Sequence, residues 1–345
     1  MSAVREAAVV QMWPRPVAQH RPRLGFLGLG WIGRARMQAL LDAGVADVIA
    51  VADTDASLVR DACDCAHARA CASLEELLRQ RLDGIVIATP SALHSAQAIS
   101  AFESDVAVFC QKPLSRTAAE AESVVAAARA HDRLLGVDFS YRQVAGVAEL
   151  RHLVRSGELG EIYAVDLTFH NAYGPDKAWF YDVTQSGGGC VMDLGVHLVD
   201  LAGWVTGCAR AQAIDARLYR NGDRLMPPIH APEDYASVQY RLDNGANVRL
   251  ACSWRLPAGR EAVIEASFYG TRGGASLHNI GGSFYDFGVT RFDGTQRRTL
   301  ATPPDAWGGR ALVEWARKLA RGARFDPEVC GVVDVAAVLD GIYGR

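Results

Sequence analysis

An apolar run, Leu24–Leu27, passes directly into Gly28-Leu29-Gly30-Trp31-Ile32-Gly33, and a helical stretch from Arg34 to Leu41 follows. Few backbones accommodate that order. The spacing G-x-G-x-x-G gives a tight turn at Gly28, a close approach for a pyrophosphate at Gly30, and helix–strand contact at Gly33. The first turn of the helix then offers unpaired N–H groups to phosphate charge. Alone the motif is weak. Its context is a second apolar run, Val48–Ala52, closed by Asp53, 20 residues after Gly33. A carboxylate there accepts from both ribose hydroxyls and repels a 2′-phosphate. Neither Thr54 nor Asp55 supplies a compensating cation, so the sequence favours NAD over NADP.

Strand candidates recur at Gly84–Ala88, Val106–Cys110 and Leu134–Val137. Helices separate them. Ser73-x-x-Glu76 is a capping box for Leu74, Leu77 and Leu78, Thr89-Pro90-Ser91 opens a helix to about Phe102, and Thr117-x-x-Glu120 caps one to about Ala130. Such alternation predicts a parallel, doubly wound sheet. Past Arg142 the pattern changes. A helix over Val144–Val154, an alternating strand over Glu161–Phe169 and a helix over Val191–Val205 precede strand-like runs at 212–219, 236–242, 246–254, 262–269 and 275–279. Asp243-Asn244-Gly245 reads as a tight hairpin turn in which Asn-Gly supplies positive φ angles. Helical segments near 305–321 and 327–342 follow. The expected fold class is α/β: a Rossmann domain over 23–142 and a second α/β domain over 143–345 with a mostly antiparallel sheet. Residues 1–22 read as a flexible arm, with Pro14, Pro16 and Pro22 interrupting helix and Ala7–Val10 too short for a signal-peptide core.

Composition removes several function classes. With 36 Lys+Arg against 39 Asp+Glu the net charge is −3, so the chain lacks the basic excess that nucleic-acid binding requires. No apolar run approaches the ~20 residues that cross a bilayer. Half the residues are hydrophobic, which excludes disorder for most of the chain. Of eight cysteines, Cys63, Cys65 and Cys71 lie near His67, but C-x-C-x5-C lacks the paired C-x2-C of zinc sites. No metal is expected. The others read as small buried residues in a reducing, cytoplasmic compartment.

Two further segments carry candidate chemistry. Gln111-Lys112-Pro113 follows a strand's carboxyl end, where ligands collect in open α/β sheets. The segment from Gly187-Gly188-Gly189 to Asp200 places Asp193, His197 and Asp200 within roughly 60° on one helical face at ~100° per residue. A histidine oriented by a carboxylate one turn away suits a general base at neutral pH. The plainer reading is an aspartate near a helix N-terminus beside a satisfied histidine.

In this order the segments resemble the Gfo/Idh/MocA family of oxidoreductases. Gly28–Gly33, Thr89-Pro90-Ser91 with His94, Gln111-Lys112-Pro113 and Gly187–Asp200 carry the likeness. Weaker matches are Phe139-Ser140-Tyr141-Arg142, Ser156–Gly160 and Glu233-Asp234-Tyr235. The resemblance implies a large open second sheet that forms the interface of a homodimer or homotetramer. It implies an interdomain active site in which Lys112, Asp193 and His197 are catalytic. Cofactor contacts are implied at Gly28, Gly30, Trp31, Ile32, Gly33, Asp53, Thr89, Pro90, Ser91, His94, Gln111 and Lys112. Substrate contacts are implied at Lys112, Tyr141, Arg142, Trp179, Asp193, His197, Asp200 and Tyr235. Gln111 stands where the family usually has Glu, Ser91 where Asn is common, and Ser140 where Asn is frequent.

The expected reaction is hydride transfer between a nicotinamide and a secondary hydroxyl or ketone. His197 takes the hydroxyl proton and Asp193 steadies the imidazolium. His170, Asn171, Tyr173, Asp176, Trp179, Tyr181, Glu233 and Tyr235 suggest an aromatic and acidic lining for a sugar, cyclitol or aminosugar. Alternatives are NAD-assisted glycoside cleavage, a non-catalytic NAD-binding regulator, and reduction of an imine or conjugated double bond.

Overall fold

A computed structural model of the chain describes residues 21–208 and 210–345. The expected arm lies outside them except for Arg21 and Pro22. Six strands make the first sheet: β1 (Arg23–Leu27), β2 (Asp47–Ala52), β3 (Arg69–Ala70), β4 (Gly84–Ile87), β5 (Ala107–Cys110) and β6 (Leu135–Val137). Their order is β3-β2-β1-β4-β5-β6, and every pairing is parallel. The two-residue edge strand β3 has no counterpart among the sequence candidates. The helices are α1 (Trp31–Ala43), α2 (Ala56–Ala66), α3 (Leu74–Leu78), α4 (Ser91–Glu103) and α5 (Ala118–Ala130). Both expected caps form, Ser73 Oγ accepting from the Glu76 N–H and Thr117 Oγ1 from that of Glu120. Strand order reverses between β1 and β4, and the crevice beyond their carboxyl ends is where such sheets bind ligands. The glycine loop, Thr89 and Lys112 all leave the sheet at that end.

The second half begins with α6 (Val147–Arg155) and β7 (Ile162–Asn171). A helical stretch follows: α7 (Val183–Ser186), a π turn over Val191–Gly195, and α8 (Val196–Thr206). Then come β8 (Ala211–Arg220), β9 (Asp223–Arg224), β10 (Tyr235–Leu242), β11 (Asn247–Ser253), β12 (Ala262–Gly270), β13 (Gly273–Asn279), β14 (Phe287–Asp293) and β15 (Gln296–Ala301). These build a nine-stranded sheet ordered β15-β14-β13-β12-β7-β11-β10-β8-β9, antiparallel except for the β7–β11 pair. Val165, Leu167 and Phe169 of β7 alternate toward the core, where Leu198, Leu201, Ala202 and Val205 of α8 are buried.

Four expectations need amendment. The expected strands end at 279, whereas β14 and β15 follow; Gln296-Arg297-Arg298-Thr299 of β15 has no apolar alternation because its side chains are exposed at the sheet edge. In the hairpin only Gly245 takes a positive φ (88°), while the Asn244 side chain accepts from the Ala246 N–H. The stretch Val183–Thr206 is apolar enough by length and composition to span a bilayer, yet 83% of its most apolar window is buried in the core. Finally, the second domain is not one contiguous unit. Helix α9 (Arg310–Ala320) returns to the first sheet, where Leu312, Trp315 and Ala316 pack with Leu24, Phe26, Val86 and Phe109. Gly84 and Gly136 make room for it, since a Cβ at either would lie 2.5 or 2.6 Å from the Trp315 ring. The last helix, α10 (Gly331–Tyr343), packs on α5 and α8.

Candidate active site

The glycine loop has the geometry a dinucleotide requires. Gly28 has φ +92°, and a Cβ there would lie 2.5 Å from the Ala88 carbonyl oxygen. A Cβ at Gly33 would lie 2.2 Å from the Gly28 oxygen. At Gly30 it would meet nothing within 4 Å, so the backbone faces open space at the uncapped start of α1. Free N–H donors at a helix N-terminus fit an anionic diphosphate. Trp31 is 64% exposed on that turn and Ile32 is partly buried. Asp53 closes β2 and braces the loop: its Oδ2 accepts from the Leu29 N–H (2.5 Å), its Oδ1 from that of Asp55 (2.9 Å).

The turn after β4 is held from beneath. Thr89 and Pro90 are partly buried, whereas Ser91 and His94 are 2% and 1% exposed. The ring nitrogens of His94 lie 2.8 Å from the Pro113 carbonyl oxygen and 2.7 Å from that of Thr89. Burial lowers the imidazole's pKa. His94 therefore ties the turn after β4 to the Lys112–Pro113 turn, whose peptide bond is cis, and is not offered to a cofactor.

Gln111 is also buried. Its amide donates to Asp138 Oδ2 at 2.5 Å, and that oxygen also meets Arg36 Nε at 2.6 Å. Ser140 Oγ joins through Asp138 Oδ1 (2.6 Å) and Arg36 Nη2 (2.9 Å). Arg36 and Asp138 were missed in the sequence, where 102 residues separate them.

Lys112 reaches across to the π turn. Its Nζ donates to the Asp193 carbonyl oxygen at 2.6 Å and to Oδ1 at 3.0 Å. The other carboxylate oxygen accepts from Trp254 Nε1 at 3.0 Å. Both carboxylate oxygens of Asp193 are thus in use, and among the described residues it makes no hydrogen bond to His197, contrary to expectation. The His197 ring lies edge-on to Tyr141 (4.9 Å) and tilted to Phe169 (6.3 Å), with Nδ1 buried and unpartnered among the described residues. Burial, then the cations Lys112 and Arg36, hold its pKa well below the ordinary 6.5. Tyr141 is backed by Trp307 at 5.1 Å. Trp254 and Trp307 carry no local motif, and only the fold brings them here.

The remaining substrate candidates divide. Arg142 grips Asp200 through Nε (2.8 Å) and Nη2, and Asp200 is 1% exposed, so this pair braces α8 and offers its carboxylate to no ligand. Trp179 stacks on Phe180 (3.8 Å), which meets Trp254 at 6.4 Å, so this aromatic rim borders the site. Asn171 follows Phe169 on the same face of β7, with a buried Oδ1 that has no partner among the described residues. Tyr235 does not join them. It pairs in register with Ser253, and Ser253 with His170, whereas Phe169 pairs with Cys252. Alternation therefore puts Tyr235 and His170, stacked at 6.3 Å, on the sheet's other face. Glu233 is completely buried and faces the glycine triplet, not the cleft.

Comparison with known proteins agrees with the fold. The profile of an oxidoreductase family with an NAD-binding Rossmann fold matches residues 23–139, and that of the GFO/IDH/MocA C-terminal domain matches residues 147–276. The putative UDP-kanosamine synthase oxidoreductase subunit of Amycolatopsis mediterranei is 30% identical over 258 residues, covering 70% of this chain and 71% of its own length. GenD2 from gentamicin A biosynthesis, solved with NAD, superposes with TM-score 0.78 at 23% identity, over 97% of this chain and 98% of its own. Levoglucosan dehydrogenase with NADH and levoglucosan gives 0.81 at 21% identity, over 94% and 96%. The chain belongs to the Gfo/Idh/MocA family of oxidoreductases, whose first domain is a dinucleotide-binding Rossmann fold.

Proposed function

We propose that the chain is an NAD-dependent dehydrogenase or reductase acting on a secondary hydroxyl or ketone of a sugar-like or cyclitol substrate, with Lys112, Asp193 and His197 as its catalytic set. The supporting observation is the contact of Lys112 from one domain with Asp193 from the other, beside an unpaired imidazole. Asp53 at the end of β2 supports NAD rather than NADP. The glycine loop, with open space at Gly30, would hold the diphosphate. When bound, the nicotinamide supplies the hydride acceptor and donor.

The chain's own residues do the rest. Asp193 and Trp254 fix the Lys112 ammonium in place, where it stabilises charge developing on the substrate oxygen. His197 is neutral at neutral pH and therefore ready to accept the hydroxyl proton. Tyr141 and Phe169 hold its ring orientation. Asp193 acts on the lysine and not on the imidazole. Trp179, Phe180 and Asn171 line the approach, which suits a polyhydroxylated ring. The outer face of the nine-stranded sheet, where Arg249 pairs with Asp166, is proposed to meet a second copy.

The test is a spectrophotometric screen for reduction of NAD and NADP with inositols, hexosides, anhydrosugars, sugar nucleotides and aminoglycosides, repeated with NADH and the ketones. Turnover lost in Lys112→Met supports the reading. Turnover on a substrate that persists in Lys112→Met, or NADP preferred to NAD, overturns the corresponding part.

A further inference from the structure

Glu233 is 0% exposed, and its ordinary partner would be a cation, yet none pairs with it among the described residues. Instead it collects hydrogen bonds from the backbone that leads into the catalytic turn. Its Oε2 accepts from the Gly189 N–H (2.9 Å) and its Oε1 from the Val191 N–H (2.8 Å). Its own carbonyl oxygen accepts from the Cys190 N–H (2.9 Å). Three successive donors thus end on one residue more than 40 positions away. No side chain of the turn itself caps it. Oε1 also accepts from the Tyr343 hydroxyl at the end of α10 (2.9 Å).

Gly188 and Gly189 make room for this approach. A Cβ at Gly189 would lie 1.9 Å from the Glu233 carbonyl oxygen, and one at Gly188 would lie 2.1 Å from the Tyr343 hydroxyl. The next residue, Asp234, accepts through its carbonyl from the Trp254 N–H (2.7 Å), and the Trp254 indole donates to Asp193 (3.0 Å). Glu233, Val191, Asp193, Trp254 and Asp234 therefore form a closed circuit, and the Lys112 contact hangs from it. A local Ser or Asp cap would stabilise the helix start as well without burying a charge. A long-range carboxylate does what a local cap does not: it fixes where the turn sits relative to the sheet.

We infer that Glu233 and Tyr343 are positioning residues, which set the placement of the π turn so that both oxygens of Asp193 presented to Lys112 stay in reach and His197 stays seated between Tyr141 and Phe169. This rests on the catalytic set proposed above. Burial raises the Glu233 carboxyl's pKa, while the N–H groups and the phenol oppose that rise. His197 reports the placement, because its own low pKa depends on burial and on the facing cations Lys112 and Arg36.

The experiment compares the full chain with Glu233→Ala, Glu233→Gln and Tyr343→Phe. The His197 ring is titrated by NMR and assigned by its loss in His197→Gln. NADH affinity and kcat are measured on whichever polyol the wild type oxidises. In Glu233→Ala the His197 midpoint moves up toward 6.5 by about half a pH unit or more, as the ring loosens. The kcat falls about ten-fold or more while NADH affinity stays within about two-fold. Glu233→Gln, which keeps one of the two acceptor oxygens and turns an amide donor toward the other N–H, recovers only part of both, and Tyr343→Phe shifts both in the same direction by less than Glu233→Ala. If Glu233→Ala does not fold, the other two variants decide. Variants that melt lower but keep the His197 midpoint and the kcat per folded molecule overturn the inference. A wild type inactive on every polyol overturns the proposed reaction instead, and the titration still decides the positioning role.

Discussion

Gln111 donates its side-chain amide to Asp138, and Asp138 in turn pairs with Arg36; the three groups are buried together. One carboxylate thus faces one guanidinium. The glutamate that the family usually carries at position 111 would here put two carboxylates against a single cation. In this chain Asp138 is the one carboxylate that meets Gln111 and Arg36. Gln111→Glu should therefore destabilise the fold by about 3 kcal/mol or more, the scale of an unpaired buried charge. Adding Asp138→Asn should restore most of it, with a coupling above about 1 kcal/mol in a denaturant-melt cycle. Additive losses would show that the two positions do not share a charge.

The imidazole of His197 is neutral well below the pH where an ordinary histidine titrates. A group needed in its neutral form limits the rate only below its own pKa. The acid limb of kcat/KM for alcohol oxidation should then lie below 6.5. His197→Ala should remove that limb and lower kcat about 100-fold or more, leaving dinucleotide affinity nearly unchanged. An acid limb at or above 6.5, or equal losses in turnover and affinity, would assign the proton to another group.

The parts of the site that lie close along the chain were legible. The glycine loop, Asp53, Lys112 and the Asp193–His197 segment each announce themselves within a few residues or at one strand end. What could not be read is which of them touch. Asp193 and His197 share a helical face, so pairing them was natural. The fold instead spends Asp193 on Lys112, 81 positions earlier, and on Trp254, 61 positions later. The face that Tyr235 takes is hidden in the sequence for a related reason. A strand's side chains alternate, and the face each one takes is set by the register with β11, which the sequence does not print. Trp315 shows the same at domain scale: nothing near it says that α9 returns to fill the space over Gly84 and Gly136.

Arg142 was expected at the substrate and is found holding Asp200 with two hydrogen bonds. Removing the guanidinium strands a carboxylate that is 1% exposed, whose pKa burial already pushes up against the pull of Arg142. Arg142→Ala should cost about 3–5 kcal/mol, whereas Arg142→Ala with Asp200→Leu should recover a large share. Differential scanning calorimetry reads both. A rise in KM without a change in melting temperature would return Arg142 to the substrate.

The glycine loop separates folding from binding at positions only three residues apart. Gly33 has no room: a Cβ would sit 2.2 Å from the Gly28 carbonyl oxygen, a backbone atom that cannot rotate away. Gly33→Ala should cost about 1–3 kcal/mol of stability, the range for overpacking a tight site. Gly30 has room, since nothing lies within 4 Å of its added Cβ. Gly30→Ala should fold with a penalty of at most about 1 kcal/mol, arising from the poorer helix cap. The added methyl stands where the diphosphate must approach, so NADH affinity should fall about ten-fold or more. Fluorescence titration with NADH beside a thermal melt checks both. If Gly30→Ala binds NADH as the wild type does, the diphosphate does not lie against that turn.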